Sequence, residues 1–110
     1  MLKSPDIGRP GLPAFDEDGF LTDPANWDET TAQWIATHDG VGELTESQWA
    51  VIRSLRAHYL RFGALPLFRR ICHIQHMDPH CVDSLFNHDG KEAWRIAGLP
   101  NPGEEGKAYM

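Results

Sequence analysis

Two cysteines and three histidines fall within one short segment of this chain, Cys72-His73-Ile74-Gln75-His76-Met77-Asp78-Pro79-His80-Cys81. Thiols and imidazoles are zinc ligands, and Cys72 and His76 are four residues apart, so one face of a helix could present both to a metal ion. His80 or Cys81, beyond the turn at Pro79, could complete a tetrahedral site. No Cys-x-x-Cys pair or zinc-finger spacing accompanies these residues, and we predict no bound metal.

The same two thiols fit two other interpretations. Cys72 could be a small buried hydrophobic residue beside Phe68, with the histidines on a polar face. Alternatively, Cys72 and Cys81 could pair with each other or accept sulfur, since neighbouring histidines and arginines favour the reactive thiolate. Two cysteines are too few for the disulfide framework of a secreted protein, and we expect both thiols to be reduced.

Charge is unevenly distributed along the chain, whose net charge is −6. Nine Asp and Glu residues lie within 16–46, where no Lys or Arg occurs. The middle of the chain is the reverse, because no carboxylate lies between Glu46 and Asp78. Five arginines lie in that interval: Arg53, Arg56, Arg61, Arg69 and Arg70. The pattern predicts a basic surface, which is either solvated or a docking site for an acidic partner.

The arginines lie on a predicted pair of helices. Thr45-Glu46-Ser47-Gln48 fits a capping box at the start of a helix over about 46–62, and Gly63-Ala64-Leu65-Pro66 ends it. The inner stripe of this helix is predicted to be Val51, Ile52, Leu55, Tyr59 and Phe62. The second helix begins near Leu67, and its predicted inner residues are Leu67, Phe68, Ile71 and Ile74. The pair resembles a helix-turn-helix, so DNA binding is an alternative, although the negative net charge argues against it.

The remaining elements are shorter, and we expect a single domain over residues 1–110. They are a β-hairpin between Phe15 and Thr22 around Asp18-Gly19, helices over about 26–38, 81–86 and 91–97, an irregular lead-in over 1–13 and an arm over 103–110.

Three stretches of the chain have a further meaning when taken together. They are Asp16-Glu17-Asp18-Gly19-Phe20-Leu21-Thr22-Asp23-Pro24 with Trp27, Leu44-Thr45-Glu46-Ser47-Gln48-Trp49-Ala50-Val51-Ile52-Arg53, and Arg95-Ile96-Ala97-Gly98-Leu99-Pro100-Asn101-Pro102. In type and order they resemble the DsrC/TusE family of small sulfur-relay proteins. The resemblance implies an α+β, DsrC-like fold, with a small N-terminal β-hairpin or meander packed on about five helices, including the helix-turn-helix-like pair. It also implies a protein partner of sulfur metabolism, such as a sulfite reductase-like or sulfur-relay complex.

Members of that family carry sulfur on a cysteine of a C-terminal arm, usually with a second cysteine nearer the body of the protein. The position of the second cysteine here is Trp94, and residues 103–110 contain no cysteine. Because only a thiolate can accept and resolve a persulfide, the resemblance implies a non-catalytic protein that docks on its partner in a regulatory or adaptor role. The expected docking surface is Arg53, Arg56, Arg69, Arg70 and Trp94. If Trp94 is exposed it would fill a partner pocket, and if buried it would fix the last helix.

Two alternatives stay open. Cys72 or Cys81 could be the sulfur carrier in place of the arm cysteine, in sulfite reduction, sulfur oxidation or tRNA thiolation, and the helix pair could make the protein a DNA-binding regulator. We predict no cofactor and no enzyme, since the chain has neither a Gly-rich phosphate loop nor a recognisable nucleophile motif. No apolar run approaches the roughly 20 residues of a membrane span, and the first residues lack a signal peptide, so we expect a cytoplasmic protein.

Overall fold

The computed structural model describes residues 14–64, 66–87 and 89–108, without the side chain of Glu105. A single turn of 3-10 helix at Pro24–Asn26 precedes six α-helices in this part of the chain. They are α1 (Glu29–His38), α2 (Glu46–Phe62), α3 (Phe68–Ile74), α4 (Cys81–Leu85), α5 (Gly90–Ile96) and α6 (Gly103–Ala108). None of them combines the length and apolar composition that crossing a bilayer requires. The predicted array of helices is confirmed, with one helix more than expected.

Side-chain caps determine where the two longest helices begin. A carboxylate oxygen of Asp28 accepts a hydrogen bond from the backbone N–H of Thr31 at 2.8 Å and starts α1. At α2 the backbone N–H of Thr45 donates to Oε1 of Gln48, and the backbone N–H of Gln48 donates to the Thr45 hydroxyl. This reciprocal pair is the predicted capping box, which satisfies N–H groups that have no partner within the helix.

The predicted β-hairpin is wrong. A single antiparallel bridge joins Phe15 and Leu21, and no strand occurs in 14–64, 66–87 or 89–108. A carboxylate oxygen of Asp16 accepts hydrogen bonds from the backbone N–H groups of Asp18 and Phe20, each at 2.9 Å. The side chain thus closes the turn and occupies the N–H group of Phe20, which the next pair of a strand ladder would need. The described part of the fold is therefore helical, not α+β.

The two ends of the chain differ from the expectation in different ways. The predicted lead-in over 1–13 lies outside the described residues. The expected arm forms α6 as far as Ala108. Asn101 and Lys107 attach this segment to the N-terminal turn, because the Asn101 amide donates to the Asp16 and Asp18 carboxylates and Lys107 Nζ lies 2.8 Å from Asp18.

The buried core is built around α5, which contacts α1, α2 and α4. Its largest fully buried side chains include Phe20, Ile35, Val51, Ile52, Leu55, Ile71, Val82, Phe86, Trp94 and Ile96. Two predicted inner stripes are corrected at their ends. Phe62 is exposed because the last turn of α2 lies beyond this core, and α3 turns Ile71 and Cys72 inward, which leaves Leu67 and Ile74 exposed.

Candidate functional site

The two cysteines are joined to each other. Cys72 of α3 and Cys81, the first residue of α4, form a disulfide with their Cα atoms 5.8 Å apart. Both side chains are buried. Cys72 is therefore buried, as one of the interpretations of this segment has it, and it is paired with Cys81, as another has it. The expectation that both are reduced is wrong for this structure, because the turn between α3 and α4 brings the two sulfur atoms within bonding distance.

The backbone between α3 and α4 explains this meeting. His76 adopts a left-handed conformation with φ of 59°, which turns the chain back so that the N–H of Met77 donates to the carbonyl of Cys72 at 2.8 Å. Asp78 then stabilises the turn that precedes α4. Its carboxylate accepts a hydrogen bond from the N–H of His80, and its backbone carbonyl accepts one from the N–H of Cys81. His76 and His80 are exposed, whereas the two Sγ atoms point into the core. The four candidate metal ligands are therefore not brought together, and no cluster with metal-binding geometry occurs among the described residues.

Two of the five residues expected on the docking surface form contacts within the fold instead. Arg56 donates hydrogen bonds to the carbonyls of Ala97 and Pro24, and its guanidinium lies 4.2 Å from the centre of the Trp27 ring. Partial burial lowers the pKa of Arg56 from its ordinary value. Trp94 is buried, and its indole N–H donates to the carbonyl of Pro100 at 2.7 Å. Trp94 therefore fixes the last part of the chain, which is the outcome expected for a buried side chain.

The other three expected docking residues reach the surface. Arg53 is exposed but paired, with its guanidinium 2.6 Å from Glu29 and 5.2 Å from the Trp49 ring. Arg69 and Arg70 are exposed on α3, and neither forms an ion pair with another described residue. The two arginines of α3 are thus the candidates whose charge is available to a partner.

The family-like motifs at the two ends of the chain meet at one place, here called the Trp27 junction (Trp27, Arg56, Ile96 and Gly98). The Trp27 indole N–H donates to the Ile96 carbonyl at 2.8 Å. Gly98 has a φ of 71°, and a Cβ atom there would lie 2.0 Å from Cδ1 of Trp27. Only glycine fits such an approach, so the tryptophan and the Gly-Leu-Pro segment are linked by direct packing.

A second site that the sequence analysis missed lies beside α5. A cavity of about 400 Å³ is lined by Asp18, Phe20, Asp89, Lys91, Glu92, Arg95 and Lys107. Arg95 contacts Asp39 at 2.5 Å and Glu92 at 3.6 Å. Burial, and then the nearby Asp39 carboxylate, raise the pKa of Glu92 from 4.5 to about 8. The spacing of Glu92 and Arg95, three residues apart on a helix, could have predicted their ion pair from the sequence. The contact with Asp39, the C-cap residue of α1, could not have been predicted in this way.

With this geometry in view, comparison with known proteins decides the family. A family model described as "DsrC like protein" matches residues 12–104, most of the chain. This protein belongs to the DsrC family. The resemblance seen in the sequence motifs is therefore confirmed.

Curated relatives of this DsrC-family chain carry a functional name. "Sulfurtransferase TusE" of Salmonella typhimurium is 32% identical over 95 residues, which cover 79% of this chain and 86% of the relative. "Sulfurtransferase TusE" of Sodalis glossinidius is 33% identical over 95 residues, covering 79% and 87%. The family is thus one of sulfur-relay proteins.

Solved structures give the same fold. The oxidized gamma subunit of the dissimilatory sulfite reductase, DsrC, from Archaeoglobus fulgidus is 34% identical, with a TM-score of 0.70 and coverage of 83% of this chain and 90% of that one. DsrC from Allochromatium vinosum is 31% identical, with a TM-score of 0.70 and coverage of 82% and 87%. The fold of this chain is therefore DsrC-like in its helical array.

Proposed function

We propose that this protein works in a sulfur relay, with Cys72 and Cys81 as its sulfur-accepting pair. The observation that carries the proposal is the contact between the two cysteines of the sequence in a chain whose curated relatives are named sulfurtransferases. That name favours relay over the non-catalytic docking role and over the DNA-binding regulator that the helix pair suggested.

The chemistry begins from the reduced pair. One thiolate attacks the outer sulfur of a donor persulfide, forms a protein persulfide and releases the donor as a thiol. An acceptor thiolate then takes the outer sulfur and regenerates the cysteine. Alternatively, the second cysteine attacks the inner sulfur, which leaves the Cys72–Cys81 disulfide and releases hydrogen sulfide. The second route needs no added oxidant, because the sulfane sulfur gains the two electrons that the two thiols lose.

Access to the sulfurs sets the conditions of the reaction. Cys72 has no exposed area and Cys81 is 5% exposed, so neither is open to a bulky donor in the disulfide form. Reduction removes the covalent link between α3 and α4. Cys81, as the first residue of a short helix and next to exposed His80, is the cysteine nearer to solvent. We therefore assign first attack to Cys81 and resolution to Cys72.

Intact mass spectrometry tests this assignment. The reduced protein, freed of reductant and incubated with glutathione persulfide, should first gain about 32 Da per sulfur accepted and then lose it as Cys72 resolves the persulfide to the disulfide with release of hydrogen sulfide. The Cys72→Ser variant should retain the added sulfur because no second thiol resolves it, whereas Cys81→Ser should accept little. The double variant and the oxidised protein are the controls and should gain nothing. If the reduced Cys72→Ser variant also gains nothing, under conditions that load a small thiol protein, Cys81 does not accept sulfur and the proposal is wrong.

A second candidate function is docking without sulfur chemistry, and the complete burial of Cys72 favours it. In this role the exposed arginines of α3, Arg69 and Arg70, bind an acidic protein of sulfur metabolism. The expectation of a non-enzymatic adaptor or regulator belongs to this candidate. The test is capture of a sulfite reductase-like or sulfur-relay protein from native lysate, with the captured protein identified. Reversal of charge at Arg69 and Arg70 together should abolish this capture. Capture by a variant reversed at Arg53 alone is the control, and equal capture by both variants would exclude α3 as the docking element.

A further inference from the structure

The exposed side of α3 has an unusual composition. Leu67 is 71% exposed and Ile74 is 49% exposed, and exposed Arg70 lies between them in the sequence. At about 100° per residue Arg70 and Ile74 lie about 40° apart on one side of α3, and Leu67 is the N-cap residue that precedes the helix. We call this stripe the α3 face (Leu67, Arg70 and Ile74). Large apolar side chains grouped in this way on a surface indicate a binding site more often than isolated ones do.

The sequence on both sides of the α3 face is free of carboxylates. No Asp or Glu occurs between Glu46 and Asp78, a stretch that contains five arginines. Arg70 forms no ion pair within the described part of the chain. The rest of the molecule is correspondingly acidic, since the net charge is −6. The α3 face is therefore a local positive surface with an apolar residue on each side of its charge.

We propose that the α3 face binds an acidic amphipathic helix of another protein. A carboxylate of that helix meets Arg70, and apolar side chains on either side of it cover Leu67 and Ile74, which are two helical turns, about 10 Å, apart. The inference rests on the proposed action with a protein partner and names the surface and the chemistry of that partner.

Other occupants satisfy only part of this surface. Nucleic-acid phosphates would pair with Arg70, but they would leave Leu67 and Ile74 uncovered. A second copy does no better, because nine of its sixteen acidic residues lie in 16–46, whereas the exposed large hydrophobic residues of the described chain all lie on or beside α2 and α3. Two α3 faces placed together would oppose Arg70 with Arg70, which is unfavourable.

A labelled helical peptide is the probe. It has about 18 residues, or five turns, with leucines on one face and glutamates beside them. Fluorescence anisotropy should detect its binding to the protein. Binding should weaken about tenfold or more, the equivalent of about 1.4 kcal/mol, in Arg70→Glu and in the double variant Leu67→Ser with Ile74→Ser. All of these positions are exposed, and circular dichroism should show that each variant is folded.

Two matched variants serve as controls. Arg61→Glu makes the same change of charge at an exposed arginine of α2, and Leu60→Ser removes a similarly exposed leucine from the same helix. Both should bind the peptide within about twofold of the wild-type protein, a difference of about 0.4 kcal/mol. If Arg61→Glu weakens binding as much as Arg70→Glu, only general charge is being measured and the proposal is wrong.

Three further results would overturn the proposal. In the first, a peptide with glutamine in place of glutamate binds as tightly as the acidic peptide. In the second, a DNA duplex binds more tightly than the acidic peptide, and the Leu67→Ser, Ile74→Ser double variant still binds it. In the third, the protein self-associates in analytical sedimentation. Sulfur uptake distinguishes this proposal from the proposed function. The α3 variants should accept sulfur normally, and the double cysteine variant should still bind the peptide, so each proposal can fail without the other.

Discussion

Arg56 of α2 and Arg70 of α3 have the same side chain in very different surroundings. In the Trp27 junction, Arg56 stacks on an indole ring and donates to two backbone carbonyls. On the α3 face, Arg70 is exposed and forms no ion pair with a described residue. The first arginine holds distant parts of one chain together, whereas the second is available to another molecule. The difference shows that a basic stretch of sequence contains both structural and binding residues, and only burial separates them.

The same difference between buried and exposed residues explains what the family motifs indicate about the protein. Trp27 and Gly98, which belong to the most identifiable stretches, contact each other inside the protein. Their spacing therefore records how the two ends of the fold pack. The α3 face and the Cys72–Cys81 pair lie outside those motifs. Similarity in the motifs thus identifies the family and its fold, while the residues that we propose to act in this chain lie elsewhere.

Among the variants that test this difference between buried and exposed residues, Gly98→Ala should have the largest effect on stability. The new Cβ atom would overlap the Trp27 ring, and an alanine would have to adopt a φ of 71°. We expect the free energy of unfolding in urea to fall by about 3 kcal/mol or more, from overpacking and backbone strain together.

Gly63→Ala is the matched control for that change. Gly63 has a φ of 67°, but nothing lies within 4 Å of an added Cβ atom. Backbone strain alone should cost about 1–2 kcal/mol. If both alanine variants lose the same amount, the Trp27 junction is not closely packed and the proposed structural role of the motif fails.

Arg56→Ala should have an intermediate effect. It removes the contact with Trp27 and leaves the carbonyls of Pro24 and Ala97 without their donor, so the free energy of unfolding should fall by about 2 kcal/mol. Arg70→Ala, on the exposed face, should change it by no more than about 0.5 kcal/mol. Equal losses in urea denaturation would mean that the two arginines do not differ in their structural role.

Glu92→Gln should have the smallest effect, and one that depends on pH. Because the folded protein raises the pKa of Glu92 from 4.5 to about 8, it keeps a proton that the unfolded chain releases. The contribution of this carboxyl to stability is therefore present below pH 4.5 and is lost as pH rises through about 8.

The difference between the two unfolding curves measures this contribution. The glutamine variant should match the wild-type protein near pH 4 and exceed it above pH 8, by about 1 kcal/mol, because solvent screening around this partly buried carboxyl leaves only part of the roughly 1.4 kcal/mol per pKa unit. Glu43→Gln, which changes an exposed carboxyl, is the control and should run parallel to the wild-type protein at every pH. A glutamine variant at position 92 that also runs parallel would show that the carboxyl is not desolvated in the folded state.

Local sequence was sufficient for the features that depend on near neighbours. The capping box of Thr45 and Gln48, the end of α2 at Gly63 and the turn at Asp16 to Phe20 involve residues a few positions apart. The helical array could therefore be predicted, although Asp16 satisfied its own turn and prevented the expected hairpin. The family was also readable, because the Trp27 junction constrains residue types at both ends of the chain.

The tertiary structure decided which of several similar residues do which task. Nothing near Trp94 in the sequence indicates that its indole is buried, and the inward rotation of α3 that exposes Leu67 depends on its packing against α2 and α4. The union of Cys72 with Cys81 and the desolvation of Glu92 likewise need the approach of separate elements. The sequence by itself determined the helices and the family, because short-range hydrogen bonds and a fixed glycine specify them. The surface offered to a partner was settled only by long-range packing, which chooses the side of each helix that water no longer reaches.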